Sequence, residues 1–189
     1  MVSAAAANAD PSSLPLEIER RFLVNKDLLA IVLRRDDPHD LLRQAYLCAD
    51  PERVVRVRIT EEVAREKLNG RPTDDGPSAE ICVKGKKVGF SCPEVESAIH
   101  VADAERMMEL RIGNAIVKRR YRIPEGSGSG LFWEVDIYEG DLAGLVTAEI
   151  ELPEVTTEFR RPEWLGAEVS SDHRYSNLSL ALNGLPVEA

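Results

Sequence analysis

The chain has 189 residues, 43% hydrophobic and 30% charged, enough apolar material for one core and too little for two comfortable ones. Its 24 Lys and Arg face 33 Asp and Glu, a net charge of −9. Such a surface gains nothing from counterion release on nucleic acid or an anionic membrane, so neither is expected as a partner. No apolar run approaches the roughly 18 residues that span a bilayer. Three cysteines, Cys48, Cys82 and Cys92, without CxxC spacing suggest neither a disulfide framework nor a zinc site, and a reducing cytoplasm suits them.

Residues 1–14 lack the basic start and apolar centre of a secretory signal and read as a disordered lead-in. Residues 15–185 are then expected to form a single domain. Leu16–Val24 alternates apolar and polar residues as a strand does. Lys26–Arg34 follows with Leu28, Leu29, Val32 and Leu33 at helical spacing. Leu42–Cys48 and Arg53–Thr60 read as strands, followed by a helical-looking run, Glu61–Leu68, and a loop, Asn69–Ser78. Ala79–Lys84 and Pro93–Val101 are the next strands. A helix over Ala102–Leu110 has Asp103 as its expected N-cap. Ala115–Ile123 and Leu131–Tyr138 form a hairpin pattern across Glu125–Gly130, and Leu145–Leu152 is the eighth strand. Thr156–Leu165 reads as a partial helix broken at Pro162, and Arg174–Leu182 as a last helix ended by Asn183-Gly184. Strands outnumber helices without regular βαβ alternation. The expected class is α+β, mainly antiparallel: an eight-stranded β-barrel with flanking helices.

Residues at i and i+2 of a strand share a face. On that rule Glu17, Glu19 and Arg21 point together, as do Arg56 with Arg58, and Glu80 with Cys82 and Lys84. Glu94 pairs with Glu96, Lys118 with Arg120, Glu134 with Asp136, and Glu149 with Glu151. Any one pair is ordinary on a solvated sheet face. Together they are costly, because like charges repel unless ligands of opposite sign fill the space. Eight strands closed into a barrel can turn that face inward. The carboxylates would then bind divalent cations, Mg²⁺ or Mn²⁺ by oxygen-ligand chemistry, and the Lys/Arg set a highly anionic group. A polyphosphate bridged to metal satisfies both.

The motifs also carry a resemblance. Glu17-Ile18-Glu19-Arg20-Arg21 resembles the E-x-E-x-K signature of the CYTH family, the triphosphate tunnel metalloenzymes. Arg43–Leu47, Val55–Arg58, Val83–Gly85, Glu94–Glu96, Val117–Tyr121, Trp133–Asp136 and Ala148–Leu152 resemble its successive strand motifs. Trp164–Val169 and Asp172–Asn177 resemble its closing segments. The resemblance implies a metal-dependent triphosphatase, with inorganic tripolyphosphate the first expectation. Thiamine or nucleoside triphosphate hydrolysis, adenylyl cyclisation and a non-catalytic polyphosphate-binding module are the alternatives. By position it implies Glu17, Glu19, Glu149 and Glu151 as metal ligands. Arg21, Arg56, Arg58, Lys84, Lys118 and Arg120 are the implied phosphate contacts. Glu94, Glu96 and Asp136 are the implied catalytic carboxylates, with Glu134 as further acidic lining. Arg21 stands where the signature has Lys, and a planar guanidinium fork is not a compact ammonium. His173 is expected to be structural, and Cys82 is the one cysteine on the charged face. An outer apolar face should be covered by helices, and a dimer contact could cover more.

Overall fold

The computed structural model describes residues 16–50, 52–63, 76–86, 88–89 and 91–187. The expected lead-in and most of the 69–78 loop lie outside these residues. Among the described residues nine strands are ordered β5-β4-β3-β2-β6-β7-β8-β1-β9, and β1 also pairs with β5. They are β1 (Leu16–Val24), β2 (His39–Asp50), β3 (Arg53–Val63), β4 (Ser78–Gly85), β5 (Ser91–Ile99), β6 (Ile112–Pro124), β7 (Phe132–Tyr138), β8 (Val146–Glu151) and β9 (Leu165–Glu168). The first eight close an antiparallel barrel. β1 makes the closure by changing partners along its length. Leu16–Ile18 pair with Ser91–Pro93 of β5, and Glu19–Leu23 pair with Thr147–Glu151 of β8. Beyond Ile18 the side facing β5 passes to β9, which pairs Glu168 with Phe22 and Leu165 with Val24.

Alternation decides which side chains face the bore, and the opposite face carries the apolar core. Phe22, Val135, Ala148 and Ile150 pack outward against Leu29 of α1 (Lys26–Val32) and against Trp164. Trp133 sits among Phe22, Phe159 and Trp164, edge to face with each, at centroid distances of 5.5–5.7 Å. Ala45, Val57, Ile59 and Ala79 are covered by Ala104 and Met108 of α2 (Val101–Met108). The third helix, α3 (Asn177–Asn183), behaves differently. Its Leu180 and Ala181 pack on Tyr46, Ile116 and Tyr138, which share faces with the inward charges of β2, β6 and β7. α3 therefore stops the bore at that end. The approach is close at Gly113, where φ is +66° and a Cβ would stand 2.5 Å from the Ala181 carbonyl oxygen.

Several expected boundaries move. α2 begins after His100 with no side-chain cap, and Asp103 pairs instead with Arg106 at 2.8 Å. β3 runs on to Val63, so the Glu61–Leu68 segment starts as strand rather than helix. Thr156–Leu165 forms no helix: Phe159 is drawn into the Trp133 cluster, and the Glu125 carboxylate accepts the Arg160 amide. The tail splits into a 3-10 turn, His173–Tyr175, and α3, because Ser176 caps the latter by accepting the Ser179 amide at 3.1 Å.

Candidate functional site

The bore holds a cavity of about 880 Å³. Twelve of the fourteen charged residues implied above line it: Glu17, Glu19, Arg21, Arg56, Arg58, Lys84, Glu94, Glu96, Arg120, Glu134, Glu149 and Glu151. The charged face looks inward. Lys118 and Asp136 do not reach the lining. Both are fully buried near the end that α3 closes, paired with each other at 2.5 Å. Strand alternation gives the face but not the depth, which separates them from Arg120 and Glu134 on the same strands.

On β1 and the end of β8 negative charge is in excess. Burial, and a hydrogen bond with Glu94, push the Glu17 carboxyl up to about 7, although Lys84 donates to it. Burial also raises Glu19, helped by Glu149 and Glu17, against Arg21 at 3.1 Å. Glu151 is raised by burial and then by Glu17, Glu134, Glu94 and Glu19. Among the described residues no cation stands within ion-pair distance of Glu151.

Elsewhere in the bore the carboxylates hold cations in place. Burial works to raise Glu149, but Arg21 at 2.6 Å, Arg120 at 3.3 Å and Lys118 keep it well below the usual range. Asp136 is likewise held down, against burial, by Arg120 and Lys118. Arg120 donates to Asp136 through both Nε and a terminal nitrogen at 2.7 Å, and pairs with Glu134 and Glu149. On β3, Arg56 reaches Glu96 at 2.8 Å and Glu80 at 3.2 Å, and Arg58 reaches Glu80 at 2.5 Å. Among the described residues the Nε–H groups of both arginines are buried without an acceptor, so the guanidinium groups of this wall are left partly unsatisfied.

The geometry also adds residues. Tyr46, His173, Ser176, Asn177 and Leu178 also line the cavity; His173, expected to be structural, stands at this lining. Tyr46 could have been found from its place two residues after Gln44, directly opposite Arg56. The tail residues carried no such periodic signal. Cys82 is buried, donates to Glu94 at 2.7 Å, and has its thiol pushed up to about 12 by burial first, which disfavours the nucleophilic thiolate. Among the described residues, the one set of three ligand atoms within 4.8 Å of one another is that of Cys82, Glu94 and Glu96. The four carboxylates implied as metal ligands share the cavity but do not converge on one point. In this arrangement Glu19 and Glu149 hold Arg21, and Glu17 holds Lys84.

No family model matches the chain. It is 33% identical over 168 residues to an inorganic triphosphatase of Acetivibrio thermocellus, across 88% of this chain and 94% of that protein. An inorganic triphosphatase of Nitrosomonas europaea is 29% identical over 175 residues, covering 88% and 97%. A crystal structure of an inorganic triphosphatase superposes with a TM-score of 0.54 at 26% identity, over 90% of this chain and 97% of that one. With 33% identity to the first relative over nearly its full length and a closed barrel whose charges face a common cavity, the chain belongs to the CYTH, or triphosphate tunnel metalloenzyme, family.

Proposed function

We propose that this protein hydrolyses a terminal phosphoanhydride of inorganic tripolyphosphate, giving pyrophosphate and phosphate. One observation carries the reading: the carboxylates of β1 and β8 share one cavity with incompletely satisfied guanidinium groups on β3. That pairing suits a polyanion brought in with hard cations. The relatives named inorganic triphosphatase support it. A simple polyphosphate needs charge alone, which this lining supplies. The protein is read as a single domain over 15–185, in a reducing cytoplasm that suits its three free thiols.

The donor set fits a divalent metal, Mg²⁺ or Mn²⁺. Glu17, Glu19 and Glu151 offer carboxylate oxygens, and their pKa values are raised by burial first and then by neighbouring carboxylates. Glu149, the fourth carboxylate implied by the resemblance, is paired with Arg21 and Arg120 and orients them from behind. Bound there, the metal would neutralise phosphate charge and lower the pKa of a coordinated water. Arg21, Arg56, Arg58, Lys84 and Arg120 bind the phosphate oxygens and align the chain. The oxygen of water bonds to the terminal phosphorus, the bridging P–O bond breaks, and pyrophosphate leaves. The water's proton passes to Glu94 or Glu96, both on the lining. Asp136, buried behind Arg120, holds that arginine rather than a proton in flight.

The test compares phosphate release from tripolyphosphate, ATP and thiamine triphosphate with Mg²⁺ or Mn²⁺. Tripolyphosphate should be turned over with the highest kcat/KM. Preference for either organic triphosphate moves the protein to that activity, and binding without release makes it a polyphosphate-binding module.

A further inference from the structure

α3 does more than stop the bore. Ser176 caps it, leaving Asn177 as its first residue. The Asn177 Oδ1 accepts the Tyr138 hydroxyl at 2.8 Å and the Lys118 ammonium at 3.4 Å. Lys118 is fully buried, its Nζ 5.4 Å from the centre of the Tyr138 ring. Its other partner is Asp136 Oδ2. Asp136 lies opposite Arg120 in the β6–β7 register and takes two of its N–H groups at 2.7 Å each. Two parallel N–H···O bonds fix the plane of a guanidinium as well as its place. Arg120 lines the cavity; Lys118 and Asp136 do not.

We propose that Asn177 is a positioning residue for phosphate capture: it holds Lys118 against Asp136, and Asp136 sets the plane of Arg120 at the cavity wall. The inference rests on the function proposed above, in which Arg120 meets phosphate. An ammonium out of water must find acceptors for its protons. With the Asn177 oxygen removed, Lys118 draws harder on Asp136 Oδ2, the same oxygen that receives Arg120. The guanidinium then loses the bidentate grip that aims it. What matters at position 177 is an oxygen acceptor, so Asn177→Asp should serve, and a carboxylate also suits the first turn of a helix. A second contact ties the same segment to the site, because Arg21 donates to the Tyr175 carbonyl at 2.9 Å.

The experiment is a double-mutant cycle on the full chain, with kcat and KM for tripolyphosphate measured alongside urea unfolding. Asn177→Ala should raise KM about 10-fold while kcat stays within about 3-fold, and Asn177→Asp should stay within about 2-fold of wild type in both. In an Arg120→Gln background, Asn177→Ala should change KM by less than about 2-fold, since the residue it positions is already gone. The same factor on KM in both backgrounds, or an unchanged KM in Asn177→Ala, overturns the proposal. Should Asn177→Ala not fold, Tyr138→Phe carries the same cycle with an expected KM effect of about 3-fold. A wild type that does not hydrolyse tripolyphosphate refutes the function and leaves this inference to the unfolding data. There the effects of Asn177→Ala and Arg120→Gln fall short of adding if the contacts couple them, and strict additivity overturns it.

Discussion

The carboxylates of β1 and β8 that face the cavity and those around Arg120 share one barrel interior yet behave in opposite ways. Glu17, Glu19 and Glu151 are pushed up by burial and by neighbouring carboxylates such as Glu94, Glu149 and Glu17, while Glu149 and Asp136 are pulled down by Arg21, Arg120 and Lys118. The difference is one of neighbours, since both groups are removed from water. The first group has negative charge left over and suits an outside cation. The second has spent its charge on orienting the arginines, and so shapes the anion site from behind. A triphosphate with its metal is the kind of ligand that needs both.

The sharpest way to break this comparison is to remove a member of the first group. Glu19→Ala should lower metal-dependent phosphate release by about 1,000-fold, as expected for the loss of several kcal/mol of charge stabilisation. Its circular dichroism should match wild type, and near-normal turnover would show that β1 holds no catalytic metal. A smaller effect should appear in stability. Ligand at about 100 times its Kd contributes about 2.7 kcal/mol, and for a domain of this size Mg²⁺ plus tripolyphosphate should raise Tm by about 5–10 °C. An unmoved melting curve would mean that the surplus charge on β1 attracts nothing.

The smallest effect concerns pH in the metal-free protein. Glu17 rises from 4.5 to about 7 on folding, so the native state holds a proton that the unfolded chain releases earlier. This contribution is fully present below about pH 4.5 and is lost as pH climbs through 7. Glu149 and Glu94, whose values fall, act in the opposite sense and only below that window. Urea unfolding should therefore show stability declining between pH 5 and 7.5, with a shallower slope in Glu17→Gln. An equal slope in that variant would move the excess charge elsewhere.

Much of this was legible in the sequence because a strand repeats every two residues. Pairs such as Arg56 with Arg58 declared a face, and the set declared a common cavity. Period two is silent on depth, however, so Lys118 and Arg120 looked equivalent while one is buried under α3 and the other meets the cavity. It is equally silent on short irregular segments. β9 has four residues, too few to alternate visibly, and His173, Ser176 and Asn177 reach the bore through a turn rather than a repeat. Helix ends were misjudged at Asp103, where a good capping residue lies one turn inside a helix that starts at His100 without a side-chain cap.

A sheet with two free borders can absorb an inserted residue by letting everything beyond it slip. Here β1 joins β5 and β8 alike, so the pairing runs round the circumference and returns to its own start. A slip begun in one strand comes back to that strand displaced unless an irregularity within a strand takes it up, as between Tyr46 and Cys48 of β2. Length changes in this chain should therefore be confined by its geometry to the connections between strands and to such bulges.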